Sequence, residues 1–394
     1  MDIFDSSYFR LNKVLMNCIG QWPYQSRHRR IIISAFITTM NSFFLFTLIC
    51  GIVTSNNVDD SINILTATVM AITCSSKLLN SIIHSKKLKN LLDEIKLNWT
   101  LGSKQEVNIL KNFTIKGRKL TFIYVVYMYF TLALYLLTGY TPQLLNIIKP
   151  LNETRLRKRP YKSNYFVDED KYYYHITLHE QITILLNVTT LVTTDTIYVV
   201  YTEHVCGMFA ILRYRLENIL KDKNSNSEMS VRRSLQDDES LTKEILGCIS
   251  LHRRNIEFTK KLDAAFSASL FVQVGLSMIL LSITGYVTIL KLGVLDEFLQ
   301  FCPYVVMQIV FIFYLCLPGQ KIIDASENIV NSLYNSQWYR MPFKTQKLFI
   351  LLMVRSSRPC CFQAGGVFVL SLQTFSLCIQ RAFSFFTVLL KMKE

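Results

Sequence analysis

Residues 364–391 read AGGVFVLSLQTFSLCIQRAFSFFTVLLK. The run is long enough to cross a bilayer as a helix, for which about 20 mostly apolar residues are needed. Within it Gln373, Ser376, Gln380, Ser384, Thr387 and Lys391 follow one another at steps of three or four, which puts them on one helical face. Such a stripe must meet partner groups or water, because an unpaired polar group is expensive in hydrocarbon. Either the hydroxyls bond back to their own helix while the glutamines pair with neighbouring helices, or the helix lines an aqueous pore.

Composition decides what surrounds it. With 51% hydrophobic residues, 26 Phe and 20 Tyr in 394 residues, the chain reads as a multi-span membrane protein with no aqueous domain. Seven apolar spans are expected, at 31–53, 62–83, 120–141, 176–201, 264–290, 298–319 and 364–390. The net charge of +15 could point to nucleic acid, so the placement of the 43 Lys and Arg is the test. With the N-terminus inside, 31 basic residues fall in cytoplasmic segments and 10 in external ones. That bias predicts a cytoplasmic N-terminus and an extracellular C-terminus, and it leaves no nucleic-acid surface. G-protein-coupled receptors share the span count but have the opposite orientation, and their acidic-Arg-Tyr and Asn-Pro-x-x-Tyr motifs are missing here.

Residues 1–30 are polar and basic, so no cleavable signal is expected; Phe9, Leu11, Val14, Leu15 and Ile19 give an amphipathic lead-in that predicts a helix at the inner interface. Leu88, Leu91, Leu92 and Ile95 extend the stripe of span two, which predicts a helix protruding into the cytosol. Sequons occur at Asn152 on the expected outer side and at Asn98 and Asn112 on the inner side, so they do not set topology. Span four carries His179-Glu180, but the second ligand of a zinc-protease helix would stand at Thr183, so no metal site is read. Asp195, deeper in that span, must pair or face water, and Lys77 lies within span two. The polar stretch 221–240 reads as a flexible linker. Pro318-Gly319 is expected to interrupt the helix, and Leu333 and Trp338 follow at helical spacing on an amphipathic segment whose apolar face needs a partner. The ten cysteines, with no CxxC spacing, read as small apolar residues. There is no Gly-rich phosphate loop, Ser-His-Asp set or mid-span carboxylate pair, so neither an enzyme nor a cofactor is expected.

The segments LPGQKIIDASENIVNSLYNSQWYRMP, VRSSRPCCFQAGGVFVLSLQTF and RAFSFFTVLL, with Gly319, Ser326, Tyr334 and Trp338 at their spacing, resemble the signature of insect odorant receptors. The lead-in from Phe9-Arg10 to Gly20-Gln21-Trp22-Pro23 resembles their N-terminal motif. The resemblance is strong from about residue 258 onward and weak over 54–257. It implies an odorant-gated, non-selective cation channel, a tetramer in which this chain is the ligand-tuning subunit beside a shared co-receptor, in the plasma membrane of olfactory sensory neurons. Gustatory receptors, which also split the last helix, are the near alternative, but their C-terminal Thr-Tyr-…-Gln-Phe motif is not found.

The expected fold is an all-α membrane protein with seven transmembrane helices. Its divisions are a cytoplasmic lead-in (1–30), six spans with the ligand pocket in their outer half (31–319), cytoplasmic anchor helices (320–363) and a pore-lining helix (364–394) that completes a split seventh span. Spans three, four and six bring aromatic, aliphatic and uncharged polar groups to the outer half, so the pocket is expected at Phe130, Leu134, Thr183, Leu186, Asn187, Tyr304 and Gln308. A small apolar odorant is the expected ligand. The resemblance places the apolar gate at Val388 and the polar pore mouth at Lys391, where a glutamine is typical of the co-receptor. Gln380, Ser384 and Thr387 continue the pore face, and Leu333, Tyr334 and Trp338 are expected to anchor a neighbouring subunit.

Overall fold

A computed structural model of the chain describes residues 3–55, 58–138, 159, 163–225, 235–290, 295–336 and 338–391. The sequon at Asn152, the basic run before Arg159 and half of the linker at 221–240 lie outside these residues. Ten helices are described: α1 (Arg10–Cys18), α2 (Arg27–Thr54), α3 (Val58–Ile83), α4 (Ser85–Leu101), α5 (Lys104–Thr138), α6 (Tyr173–Ser225), α7 (Leu235–Leu290), α8 (Leu295–Tyr334), α9 (Phe343–Ser356) and α10 (Leu372–Lys391). A two-strand hairpin, β1 (Gln363–Ala364) with β2 (Phe368–Val369), precedes α10.

Six of these helices are long and apolar enough to cross a membrane: α2, α3, α5, α6, α7 and α8. The first six expected spans fall within them, apart from residues 139–141, which are not described. Helix α10 is not among the six. Below, the distal end of the bundle is the one at Thr54 and Tyr173, and the basic end is the one at Arg27, Ile83 and Leu101.

Helix α6 is the axis. In its most apolar stretch 78% of residues are buried, against 22% in α5, and it packs on α5, α8, α7, α3, α2 and α1. A helix apolar all round belongs in the interior, and the threonines of α6 do not spoil that. Thr183 donates to His179 O (2.8 Å), Thr190 to Leu186 O (2.8 Å) and Thr202 to Tyr198 O (2.9 Å), so these three hydroxyls are satisfied within their own helix, while that of Thr177 has no partner.

At the basic end, ion pairs tie the helices together. Arg215 Nε meets Glu106 at 2.5 Å (α6 to α5), Arg254 meets Glu94 at 3.2 Å (α7 to α4), and Lys321 pairs with the buried Glu203 (α8 to α6). Glu106 also closes a reciprocal cap at the start of α5: Ser103 N donates to its carboxylate at 3.0 Å, and its own N–H donates to Ser103 Oγ at 3.3 Å.

Four expectations are corrected. Span two does not protrude as one helix: it breaks at His84, and α4 restarts in phase, which is why Leu88, Leu91, Leu92 and Ile95 are still buried. The apolar side of the lead-in packs on the protein, with Phe9, Leu15 and Ile19 buried and Phe4, Phe9, Trp22 and Trp99 meeting edge to face, but Val14 is exposed and does not belong to that side. Helix α8 runs unbroken through Pro318-Gly319. The glycine serves a close approach instead: a Cβ there would lie 2.2 Å from Leu370 O. Finally, the last helix starts at Leu372, because Gly365 and Gly366, both at positive φ, turn the chain into the hairpin. The hairpin is clamped to α7 by Gln363 N donating to Asp263 (2.7 Å) and Gly365 N donating to Ser267 O (3.1 Å).

Candidate functional site

A polar seam runs through the bundle. Asn41 Nδ2 donates to Ala71 O (3.0 Å) and Ser75 Oγ (2.6 Å), and accepts at Oδ1 from Asn187 Nδ2 (2.8 Å), joining α2, α3 and α6. Towards the basic end Lys77 of α3 forms an ion pair with Asp195 of α6, both almost wholly buried. Tyr124 of α5 donates to the other carboxylate oxygen at 3.0 Å, and its ring stacks on Tyr314 of α8 with centroids 3.7 Å apart. Lys77 Nζ lies 5.3 Å from the Phe311 ring centroid. Four helices thus converge on one neutralised charge pair, the form in which ionised groups survive in an apolar core. Beside it is a small gap, with room for about one water molecule, lined in part by Lys77, Asn80, Asp195, Tyr198 and Gln273.

The residues expected to bind ligand divide. Thr183, Asn187 and Gln308 are buried and Leu186 is half-buried. Phe130 and Leu134 are 61% and 49% exposed and do not join them. The face that α5 turns inward carries Tyr124, Met128 and Leu132, about half a turn away. Tyr304 lies in α8, with its side chain outside the described residues. Tyr129, which bonds Thr189 at 2.9 Å, was missed; its polar tip among aliphatic residues marks the inward direction.

On α10 the stripe Gln373, Ser376, Gln380, Ser384, Thr387 and Lys391 is exposed along its length. Thr374, Cys378, Ala382 and Phe386, on the opposite face, are buried, and α10 packs on α7 and α8. Ser384 donates to Gln380 O (3.0 Å), Thr387 to Ser384 O (2.8 Å), and Gln380 reaches Ser376 Oγ at 3.4 Å. The hydroxyls therefore do bond back to their own helix, while Gln380 bonds within the stripe instead of to a neighbouring helix. Val388 is 54% exposed beside the stripe.

Of the expected anchor residues, Leu333 is buried within its own chain and is not presented to a neighbour; Tyr334 is 75% exposed, and Trp338 is half-buried in a 3-10 turn. Helix α9, which follows, exposes the apolar groups Phe343, Ile350, Leu351 and Val354. Among the described residues no group of three His, Cys, Asp or Glu is placed to hold a metal. His179 and Glu180 instead hold the segment before α6: Tyr165 Oη lies 2.8 Å from His179 Nδ1, and Ser163 donates to Glu180.

The family described as 7tm Odorant receptor matches residues 57–383, which includes the stretch where sequence resemblance was weak. Odorant receptor 22a of Drosophila melanogaster is 28% identical over 238 residues, covering 57% of this chain and 53% of its own. Odorant receptor 13a of the same species is 26% identical over 217 residues, covering 51% of this chain and 49% of its own. The chain thus spans about half the length of the curated relatives it matches. The solved olfactory receptor OR5 of Machilis hrabei in complex with eugenol shares the fold, with a TM-score of 0.74 over 97% of both chains at 15% identity. A second solved structure of the same receptor gives a TM-score of 0.73 at 16% identity, covering 98% of this chain and all of that one.

Proposed function

The chain belongs to the 7tm odorant receptor family, and from that premise we propose that it is the odorant-tuning subunit of a ligand-gated, non-selective cation channel formed with a co-receptor. It is a multi-pass membrane protein. In this reading the distal end is extracellular, α10 is the seventh span and lines the pore, the outer half of α5, α6 and α8 holds a small apolar odorant, and α9 with Tyr334 and Trp338 forms the cytoplasmic anchor of a hetero-tetramer in the membrane of olfactory neurons. Eugenol bound to the similar Machilis receptor supports a ligand of that size.

The observation that carries the reading is the stripe on α10. A row of polar groups opposite the packed face would be costly against lipid and is suited to water. Val388 beside it can act as an apolar constriction that stops ions by dewetting. Val388→Ser should therefore raise ligand-independent current. Lys391 at the mouth repels cations, an effect screened within about 8–10 Å at physiological salt. Lys391→Glu should increase inward cation current, more so at low ionic strength than at high. Whole-cell recording with the co-receptor tests both; parental conductance in the two variants would return the stripe to packing.

Orientation has its own test. The bias of basic residues towards the Arg27 end predicts that a C-terminal tag stains on intact cells and an N-terminal tag only after permeabilisation. The reverse pattern would sink the inverted topology.

A further inference from the structure

Gln308 sits in α8 with Phe311, Ile312 and Leu315 at spacings of three, four and seven, and all four are buried. That shared face looks into the bundle, because the Phe311 ring lies 5.3 Å from Lys77 Nζ. Gln308 is one turn, about 5 Å, to the distal side of Phe311, and so lies on the same side of the Lys77–Asp195 pair as Thr183, Leu186 and Asn187. Its side chain is 5% exposed, and neither Nε2 nor Oε1 has a hydrogen-bond partner. Among the described residues it is the one buried side-chain amide with both ends unpartnered. The buried amides of the seam show what satisfaction looks like: Asn41 and Asn187 bond each other at 2.8 Å, and Asn41 makes two further bonds.

An amide buried without a protein partner disfavours the empty state, and a molecule that supplies the missing partner gains what the protein lacks. We propose that Gln308 is the specificity-determining residue of the odorant pocket, and that the ligand class is small neutral molecules bearing a hydroxyl or carbonyl oxygen, in preference to hydrocarbons. This rests on the pocket reading above. A carbonyl accepts from Nε2 alone. A hydroxyl can accept from Nε2 or donate to Oε1, so it can answer either end of the amide. A site built to hydrogen-bond a ligand oxygen rejects the analogue lacking it far more strongly than an apolar wall rejects one methylene more or less. The oxygen therefore sets the class, and chain length only grades it.

The test is current from cells expressing the full channel, using matched alkanes, 2-ketones and primary alcohols of six to ten carbons as probes. Alcohols and ketones should activate at concentrations where alkanes of equal length do not. Gln308→Met, close in volume but without the amide, should raise the half-activating concentration of oxygenated probes about 10- to 100-fold and leave that of alkanes unchanged. Surface labelling checks that the variant reaches the membrane. If it does not, Gln308→Asn, which keeps the amide but withdraws it by one carbon, should give a smaller loss confined to oxygenated probes. Silence towards oxygenated probes, or an oxygen-to-hydrocarbon ratio unchanged in the variant that reaches the surface, overturns the proposal. Leu186→Phe and Thr183→Val separate the two failures. If they shift the chain-length ranking while Gln308→Met leaves the ratio intact, the amide alone is misassigned. If they shift nothing either, the pocket itself lies elsewhere.

Discussion

Asp195→Asn should leave little folded receptor at the surface, whereas Lys77→Met/Asp195→Leu together should restore most of it. The reason is the asymmetry of buried charge. Removing one partner strands the other in an apolar core and costs about 3–5 kcal/mol, whereas replacing both with apolar groups of similar volume is often neutral. Lys77 and Asp195 are both buried, and four helices meet at them, so the stranded charge cannot reach water without separating the bundle. Tyr124→Phe removes only one neutral donor from the same carboxylate, at 3.0 Å, and should cost about 1 kcal/mol. The predicted order of thermal stability in detergent is parent, then Tyr124→Phe and the double variant, then either single charge variant. A parental melting profile in Asp195→Asn would show that the pair does not hold these helices.

Gly319→Ala should abolish ligand-evoked current and lower thermal stability, while Gly275→Ala should do neither. A Cβ at Gly319 would meet Leu370 O at 2.2 Å and Leu370 C at 2.9 Å, and the obstacle is backbone, which cannot rotate away. Overpacking typically costs about 1–3 kcal/mol, and a backbone obstacle belongs at the upper end or beyond. The displaced segment is the exit of the hairpin into α10, so the variant would move the entry of the proposed pore helix as well as weaken the fold. At Gly275 an added Cβ meets nothing within 4 Å, and alanine in a helix is favoured over glycine by up to about 1 kcal/mol. Equal behaviour of the two variants would count against the close contact between α8 and Leu370.

Hydropathy made the six long membrane helices legible, and period made the α10 stripe legible, because a polar face on an apolar helix stands out whatever surrounds it. Direction was legible only where polarity contrasted. Helix α5 is apolar on every side, since lipid accepts the same residues as the protein interior, so nothing in the spacing told Phe130 and Leu134 from Met128 and Leu132. Its tyrosines did carry the signal: Tyr124 and Tyr129 both reach polar groups on α6. Lys77 and Asp195 were each visible as expensive in-span charges, yet they stand 118 residues apart, and pairing across helices is a tertiary fact. Pro318-Gly319 misled because the two residues ordinarily end a helix, whereas here the glycine makes room for Leu370. Leu333 was expected to anchor a neighbouring subunit because its amphipathic segment needs a partner, but the chain's own core buries it.

Helices α6 and α7 are 53 and 56 residues long, each about 80 Å at 1.5 Å per residue, or more than twice the roughly 30 Å of a bilayer's hydrocarbon core. With the odorant pocket where we propose it, such rods separate inheritance of ligand choice from inheritance of architecture. Thr183 and Leu186 lie more than 30 residues before the end of α6, while Glu203 and Arg215, which tie it to α8 and α5, lie well beyond them on the same rod. A lineage can therefore exchange side chains at one end, trying new molecules one substitution at a time, without disturbing the contacts by which the other end is held. The same rigidity keeps the two ends in mechanical step, so diversity in what is sensed need not be bought with diversity in how the signal is delivered.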